Sequence, residues 1–418
     1  MNPIAAAVAA AREEQAKQIA AQPPRLTSID AFRGFAMFLM AAEWLHLPKV
    51  ASSFQNSRAW QIIGRHTQHV EWTGCALHDL IQPSFSFMVG AAIPFSMASR
   101  TARGQSRVGM WLHALLRAVI LVLLGVFLRS IGQSMTYWTF EDTLSQIGLG
   151  YPILFALAFL SRRWQWAALA MILLGYWAAF ALHPRPPSDF DWAKYNAHAY
   201  FEGFAAHWNK NSNAAWAFDR WFLNLFPRQH EFLGNPGGYS TLSFIPTLGT
   251  MILGLIAGGW LKEWARPPAP VDAEIPRSTG KPLGKLVLAG VICLALGWAF
   301  DRFGICPSVK KIWTPSWTLF SGGWCFLLMA AFHAVADLAG WRSIFFPLVV
   351  IGMNSIAAYV LAHQPAEFIS RSLDTHFGKE PFFGAGQAYQ LLLHGTVVLI
   401  LIWLILFWMR RRRLYLRI

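Results

Sequence analysis

The chain has 418 residues, of which 55% are hydrophobic and only 13% are charged, and it contains four Cys. A typical soluble domain carries roughly 25% charged residues, so the composition excludes an ordinary cytosolic enzyme, and it also excludes a disordered chain and a disulfide scaffold. With 21 Trp and 32 Phe, the sequence is typical of a polytopic membrane protein. The formal net charge of +14 comes mainly from Lys and Arg that lie between apolar runs, which favours an anionic membrane face over nucleic acid as their partner.

The N-terminal residues 1–24 are rich in Ala and carry charged side chains, such as Arg12 and Lys17, where a secretory signal needs an apolar core. We predict a loose cytoplasmic tail here, followed by a single transmembrane domain over residues 25–418. Within that domain, the 183–240 connection is long and rich in aromatic residues. Long connections in compact proteins are often functional, so we predict an extracytoplasmic loop insertion that caps the outer face.

Ten apolar segments approach the roughly 20 residues that a membrane-spanning helix needs. These segments are 31–47, 77–98, 108–130, 144–160, 164–182, 241–261, 286–301, 316–338, 345–363 and 388–409. The expected fold class is therefore all-α, a polytopic membrane protein of about ten transmembrane helices with an outer loop cap.

The connections between these segments alternate in charge density. One set carries 19 Lys and Arg in 81 residues, and it comprises 1–30, 99–107, 161–163, 262–285, 339–344 and 410–418. The other connections carry 13 in 138 residues. By the positive-inside rule, the first set is cytoplasmic. We therefore predict a multi-pass protein of the inner (cytoplasmic) membrane with both termini in the cytoplasm.

Ionisable residues inside the apolar segments are candidates for function, because a charge within the bilayer is costly. Glu43 and Arg117 are the two clear cases, and the alternative for them is a structural pair. Asp30 and Arg33 lie three residues apart on one helix face and can pair. The alternative for Arg33 is a snorkelling anchor at the interface.

The densest polar cluster precedes and enters the second segment, and it contains His66, His69, Glu71, His78 and Asp79. A His beside a carboxylate can act as a general base, because its ordinary pKa of about 6.5 is close to working pH. Glu71 or Asp79 can orient such a base. One alternative is a metal site made of His66, His69, His78 and Asp79, but their spacing matches no strong zinc pattern. The other alternative is a polar loop at the headgroup level.

Polar residues near later segments have plainer explanations. Asn354 lies within the ninth segment, where an Asn is most often a contact between helices. Trp313 follows Lys310 and Lys311, a combination that also suits an interfacial anchor. Gln146 opens the fourth segment, just after Glu141 and Asp142. Cys75 and Cys306 both fall on the predicted outer side and can pair there, although free thiols are the default.

Seven stretches carry a resemblance to a known family. In chain order they are 25–34 (RLTSIDAFRG), 68–83 (QHVEWTGCALHDLIQP), 85–94 (FSFMVGAAIP), 144–151 (LSQIGLGY), 238–242 (GYSTL), 311–316 (KIWTPS) and 352–359 (GMNSIAAY). In both content and order they resemble landmarks of the heparan-alpha-glucosaminide N-acetyltransferase family of membrane acyltransferases, especially its bacterial members of unassigned substrate.

The resemblance implies transfer of an acetyl group from cytoplasmic acetyl-CoA, as co-substrate, to an amino sugar across the membrane. By position, the family's catalytic His is His69, which deprotonates the acceptor or carries the acetyl group itself. Asp79 and Glu71 are then its expected catalytic partners. Further residues are expected to line the path of substrate and acyl-CoA, namely Arg33, Glu43, Trp72, Arg117, Gln146, Trp313 and Asn354. No metal is expected.

The chain also departs from the family's landmarks. Glu43-Trp44 stand where the family often has an Asn, and Gln146 stands where it has an Arg. A Thr of the family is replaced around Cys75-Ala76, and His78 is an addition. These differences leave the acceptor open.

The sequence as a whole predicts an acetyl-CoA-dependent N- or O-acyltransferase that acts on an amino sugar or other glycan acceptor outside the membrane. The alternatives are a transporter of sugars or organic acids and a scaffold descended from an acyltransferase. The expected partners are membrane lipid, a small-molecule or glycan acceptor and a second copy of the chain, with no nucleic acid.

Overall fold

A computed structural model describes residues 26–265, 282–384 and 386–416 of the chain. The predicted tail over 1–24, the first residue of the first family stretch and most of the 262–285 connection lie outside these residues. The regular structure of the described residues consists of α-helices and short 3₁₀ or π turns, and the only β pairs among them are two isolated bridges, Thr73 with Val309 and His198 with Lys210. The all-α prediction is confirmed.

The α-helices are numbered here in chain order. They are α1 (Thr27–Ala41), α2 (Leu47–Ser52), α3 (Arg58–His66), α4 (Ile81–Ala102), α5 (Arg107–Ser130), α6 (Thr143–Leu157), α7 (Arg162–Ala181), α8 (Ala214–Phe222), α9 (Phe244–Trp264), α10 (Pro282–Arg302), α11 (Pro315–Phe332), α12 (Phe346–Gly352), α13 (Ser355–Ala362), α14 (Gln364–Phe377) and α15 (Gln390–Arg411).

Seven helical stretches of the described chain are long and apolar enough to cross a membrane, which confirms a polytopic membrane protein. They are Leu77–Ala102, Arg107–Ser130, Arg162–Ala181, Thr241–Trp264, Pro282–Arg302, Pro315–Leu338 and Gln387–Arg411. Ser343–Gly352 and Ser355–Ala362 form an eighth only if they are counted together, because they are bent by 72°. The count is therefore seven or eight rather than ten.

Three predicted spans fall short, two of them at a local break in the backbone. The 31–47 segment stops at Ala41, where a 3₁₀ turn (Ala42–Leu45) and the left-handed His46 (φ 49°) end α1 after 15 residues. The 144–160 segment forms α6, which is also 15 residues long. The 345–363 segment breaks at Asn354, whose φ of −128° and ψ of 45° are not helical. The apolar composition of these segments does not predict where their helices end.

The central helices pack at backbone contact distance. A Cβ atom placed on Gly254 of α9 would lie 1.9 Å from the main-chain oxygen of Phe87 in α4, and one on Gly90 would lie 1.9 Å from that of Met251. Small residues of this kind let membrane helices approach closely. The packing fixes α4, which carries the polar cluster at its N-terminal end, against the buried α9.

The described parts of the Lys- and Arg-rich connections meet on one face of the helix bundle, called here the basic face. Arg162 forms an ion pair with Glu263, and the Thr27 amide donates to the Asp337 carboxylate over 3.0 Å. The guanidinium of Arg410 lies 4.7 Å from the ring centroid of Phe346. The 48–76, 131–143, 183–240 and 302–315 connections contact one another at the other end, called here the cap face, through the pairs Thr73–Val309, Trp72–Trp208 and Trp138–Arg228.

The 183–240 connection is an ordered structure that packs on the polar cluster. The Asn211 side chain donates to three main-chain oxygens, those of Tyr195, Asn196 and Asn235, over 2.7–3.0 Å. These bonds tie distant parts of the connection together. The division of the chain into a tail and one transmembrane domain stays a prediction.

Candidate active site

Three charged or polar side chains meet at the cap face. His69 Nδ1 lies 2.8 Å from Asp79 Oδ1. Lys310 Nζ lies 3.1 Å from the same carboxylate oxygen and 2.9 Å from His69 Nδ1. Asp79 is fully buried and Lys310 is 6% exposed, whereas the His69 side chain is 41% exposed. The buried ion pair therefore holds an imidazole that remains accessible.

Short-range folding of the 67–80 stretch explains the position of Asp79. A 3₁₀ turn (Leu77–Leu80) begins the second predicted span and places the carboxylate inside the preceding loop. Its Oδ2 accepts from the Ala76 amide at 3.0 Å and from the Val70 amide at 3.3 Å. The loop thus wraps around one carboxylate and presents His69 to it.

Lys310 reaches this loop from a distant part of the sequence. The bridge between Thr73 and Val309 joins the two connections. A tight turn follows, in which the Trp313 amide donates to the Lys310 carbonyl at 2.9 Å and Trp313 adopts a left-handed φ of 48°. This turn directs the lysine towards the carboxylate.

The electrostatics favour a neutral imidazole. Burial lowers the pKa of His69, and the hydrogen bond to Asp79 opposes this effect, while the positive charge of Lys310 lowers the pKa further. Burial also lowers the pKa of Lys310, and Asp79 counteracts it. Nδ1 of His69 lies within hydrogen-bond distance of an acceptor, Asp79 Oδ1, and of a donor, Lys310 Nζ. A proton on Nδ1, donated to the carboxylate, leaves the Nε2 lone pair free.

A second pair lies beside the first. Glu43, in the 3₁₀ turn that follows α1, has its Oε1 3.0 Å from Nε2 of His78. The ring centroids of His78 and His69 are 4.4 Å apart. The ligand atoms of Glu43, His69 and His78 all lie within 4.8 Å of one another. This set differs from the His66, His69, His78 and Asp79 set considered from the sequence.

His66 and Arg117 take no part in these contacts, although the sequence analysis considered His66 as a metal ligand and Arg117 as a partner of Glu43. The Leu77 amide donates to His66 Nδ1 at 3.3 Å. Arg117 donates to the Tyr151 hydroxyl at 3.3 Å, on another part of the bundle, so the structural pair with Glu43 is not formed.

A cavity of about 260 Å³ opens in front of the His69 side chain. Its polar lining consists of Glu43, His69, Gln82, Arg129, Glu141, Asp142, Thr143, Tyr239, Lys310, Tyr359 and His363. Burial raises the pKa of both Glu141 and Asp142, and it also raises the pKa of the Tyr239 phenol. The cavity is thus rich in groups that can donate and accept hydrogen bonds.

A second cavity of about 440 Å³ lies towards the basic face. Its cationic and titratable lining consists of Arg33, Arg100, His113, Arg117 and Tyr415. The same helices line both cavities. From α4, Gln82 lines the cavity at the cap face and Phe85 lines the cavity towards the basic face; from α13, Tyr359 lines the first and Ile356 the second. On each of these helices the nearest lining residues of the two cavities are three positions apart, which is an axial rise of about 4.5 Å at 1.5 Å per residue.

Gln146 lies at the boundary between the cavities. Its side-chain oxygen accepts from Gln82 at 3.1 Å and from Thr247 at 3.0 Å. Its amide donates to the Ser240 carbonyl at 3.4 Å. The neighbouring α6 residues Thr143 and Ile147 line the cap-face and basic-face cavities respectively.

Other predicted site residues lie outside the His69 cluster. The carboxylate of Glu71 accepts from the Tyr200 hydroxyl at 2.8 Å, so Asp79 is the carboxylate that contacts His69. Trp72 stacks on Tyr200 with centroids 5.3 Å apart and donates to the Trp208 carbonyl at 3.2 Å. Both Glu71 and Trp72 therefore attach the cap to the loop that carries His69.

Two further predicted residues hold structure together. Trp313 is buried and its indole donates to the Thr250 hydroxyl at 3.2 Å. The Asn354 amide donates to the Leu414 carbonyl at 2.8 Å, and its oxygen accepts from the Leu416 amide at 3.2 Å. Asn354 thus anchors the C-terminal segment. All four Cys are free thiols, and the pairing of Cys75 with Cys306 is not formed.

The sequence did not predict Arg129 and Tyr239 as members of the site, and it indicated Lys310 only as part of the Lys310–Trp313 region expected to line the acyl-CoA route. Lys310 lies three residues before a Trp and has the pattern of an interfacial anchor. Only the family stretch that begins at the next residue marked this region as important.

No family model matches the chain. The chain is 24% identical over 379 residues to human heparan-alpha-glucosaminide N-acetyltransferase, a match that covers 82% of this chain and 53% of the human protein. It is 22% identical over 382 residues to the mouse protein of the same name, with 82% and 54% covered. The chain spans about half the length of these curated relatives. The chain is therefore related, at the family level, to the heparan-alpha-glucosaminide N-acetyltransferases.

Proposed function

We propose that the chain is a transmembrane acyltransferase that moves an acetyl group from acetyl-CoA at the basic face to an amino sugar or other glycan acceptor at the cap face. One observation carries the proposal. The lining of an arginine-rich cavity and the lining of a cavity that contains the accessible His69 of the His69–Asp79 pair lie about one helical turn apart along α4, α6 and α13. A donor that enters one cavity is thereby close to a base in the other.

The basic-face cavity suits the nucleotide end of acetyl-CoA. Arg33, Arg100 and Arg117 supply cationic side chains, and Arg is well suited to phosphate because of its planar fork of donors. A multiply charged nucleotide cannot enter hydrocarbon, because even one charge at the bilayer centre costs several kcal/mol. The narrow pantetheine arm can instead extend past Phe85 and Gln82 to the His69 cavity, where its thioester meets the acceptor.

His69 performs the transfer. Its free Nε2 takes a proton from the acceptor amine or hydroxyl, and the acceptor atom bonds to the acetyl carbon. The carbon–sulfur bond breaks, and the thiolate of CoA receives the proton from the imidazolium. Asp79 stabilises the imidazolium through Nδ1, and Lys310 holds Asp79 in place. In the covalent variant, Nε2 itself carries the acetyl group between the two substrates. Neither route calls for a metal.

The sidedness follows from the positive-inside rule. With the basic face in the cytoplasm, both termini lie inside the cell and His69 faces outwards, at the inner membrane of the cell. The acetyl-CoA pool is then on the donor side. Reporter fusions after Arg163 and Lys210 should report the cytoplasm and the outside respectively, and the inverse pattern would contradict this orientation.

A transporter of sugars or organic acids is the second candidate, because two cavities stacked through a bundle and separated by a Gln82–Gln146 contact also suit alternating access. Transport gives no role to the His69–Asp79–Lys310 cluster. Uptake of a labelled sugar or organic acid into proteoliposomes, in the absence of any acetyl transfer, would favour this candidate.

The test uses the purified full-length protein, labelled acetyl-CoA and a panel of amino sugars. His69→Ala should lower transfer by roughly 10²–10⁴-fold, the contribution of a positioned base. Affinity for acetyl-CoA should change little, because its nucleotide end binds at the other cavity. His66→Ala is the matched control, and it should retain most activity because its ring contacts the Leu77 amide instead. Near-normal transfer by His69→Ala would contradict the proposed mechanism.

A further inference from the structure

We propose that Glu43, His69 and His78 form a Zn²⁺-binding site in the cap-face cavity. The three residues belong to different segments: the turn after α1, the loop that follows α3 and the turn that precedes α4. The fold nevertheless brings their ligand atoms within 4.8 Å of one another. Two imidazoles and one carboxylate are a donor set that binds Zn²⁺ in proteins and leaves a fourth coordination position open.

The arrangement around His69 also matches that of a metal ligand. Metal-bound His generally donates its other ring N–H to a carboxylate, which fixes the tautomer and the ring orientation. Here Nδ1 of His69 lies 2.8 Å from Asp79, and in the proposed site Nε2 is the ligand atom. On the opposite side of the site, Glu43 and His78 already lie 3.0 Å apart. Small rotations of these side chains bring them to the roughly 2 Å ligand distances of Zn²⁺.

Charge and access are consistent with a bound cation. Asp79 is neutralised by Lys310 at 3.1 Å, so Glu43 supplies the net negative charge among the ligands. The Glu43 side chain is 57% exposed while His78 is 10% exposed. An ion that enters the cavity can therefore reach Glu43 first and then bind His78, which lies deeper in the protein.

A bound ion occupies the same Nε2 that takes the acceptor proton in the proposed transfer. Zn²⁺ should therefore inhibit the enzyme reversibly, in competition with the acceptor. This consequence rests on the proposed function, whereas the binding of Zn²⁺ does not.

The primary test is Zn²⁺ binding by the full-length protein in detergent, measured by competition with a chromophoric chelator. The wild type should bind one equivalent, and His78→Asn and Glu43→Gln should each bind at least tenfold more weakly. The matched control is His363→Asn, since His363 lines the same cavity but its Nδ1 lies 2.7 Å from the Tyr359 carbonyl. This variant should bind Zn²⁺ as the wild type does. X-ray absorption of the zinc-loaded wild type should give two histidine nitrogens and a carboxylate oxygen.

Failure of the wild type to bind one equivalent would overturn the proposal, as would unchanged binding by both variants. Elution of each variant as a monodisperse species excludes misfolding as the cause of a loss, and two different substitutions keep the test valid if one fails to fold. In the transfer assay, Zn²⁺ should inhibit the wild type at concentrations at least tenfold lower than those that inhibit His78→Asn. Zinc binding by a protein without transfer activity would support the site and contradict only the proposed function.

Discussion

Asp219 offers a test of how the cap is attached to the membrane helices. Its side chain, on α8, is 2% exposed, and its Oδ2 accepts from the Thr241 amide at 2.9 Å. Its Oδ1 has no hydrogen-bond partner among the described residues. Burial raises the pKa of this carboxyl from 3.8 to about 7. The folded state therefore holds a proton that the unfolded state releases between these two values.

The difference in the pKa of Asp219 between the folded and unfolded states determines how the stability of the cap changes with pH. As pH rises from about 4 to about 7, the free energy of unfolding of the cap should fall, because ionising a buried carboxyl is costly. At 1.36 kcal/mol for each pKa unit, a change from 3.8 to about 7 sets an upper limit of about 4 kcal/mol. Asp219→Asn removes the charge and keeps an oxygen that can accept from Thr241. It should stabilise the cap at pH 8 and have little effect at pH 5.

The assay is thermal or denaturant unfolding of the cap at pH 5 and pH 8, followed by Trp fluorescence. Asp189→Asn is the control, since Asp189 is an exposed residue of the same connection. The reasoning would be refuted if Asp219→Asn kept the pH dependence of the wild type, or if it were the less stable protein at pH 8.

Three further predictions concern the site and its scaffold. Lys310→Met should lower acetyl transfer by about 10²-fold, in the range of positioned acid–base catalysis, and should retain the affinity for acetyl-CoA. The control is Lys311→Met, which should transfer at a nearly normal rate because the Lys311 ammonium lies over the Tyr239 ring. Equal losses in the two variants would count against the role of Lys310. Gly254→Ala should destabilise the protein by about 1–3 kcal/mol or more, because the new Cβ would lie 1.9 Å from a main-chain oxygen. The control is Gly259→Ala, whose Cβ would lie 3.7 Å from a side-chain atom. Equal unfolding midpoints for the two variants would contradict the close packing of α4 and α9. Arg100→Ala should raise the KM for acetyl-CoA about tenfold with kcat nearly unchanged, as expected for loss of one charged contact, and a pure kcat effect would argue against a phosphate contact.

The long apolar helices were predictable from composition, because a run of about 20 apolar residues has few alternatives to a membrane-spanning helix. Their ends were less predictable. Apart from Glu43, the residues of Ala42–Leu45 continue the apolar run, and the left-handed His46 that follows this turn has no sequence signal beyond the Leu and Pro after it. The bend at Asn354 is similar, since an Asn within a span reads as a contact between helices.

The candidate site was only partly predictable for a related reason. His69 and Asp79 lie ten residues apart in one polar stretch, so composition indicates that they can meet. Lys310 is 231 residues from Asp79, and only the bridge between two connections brings it there. Glu43 reaches His78 because α1 ends early and turns its last residues into the cavity. Such contacts depend on tertiary packing, which a single sequence does not encode in any local pattern.

Transfer across a sealed bilayer tests the central claim most directly. Proteoliposomes would hold labelled acetyl-CoA on one side only and amino-sugar acceptors on the other side only. A reporter at the C-terminus would determine the orientation of the protein. The proposed function predicts acetylated acceptor when acetyl-CoA faces the basic face and acceptor faces His69, and none with His69→Ala. Product that forms only when both substrates share one side, or that forms equally with His69→Ala, would contradict it.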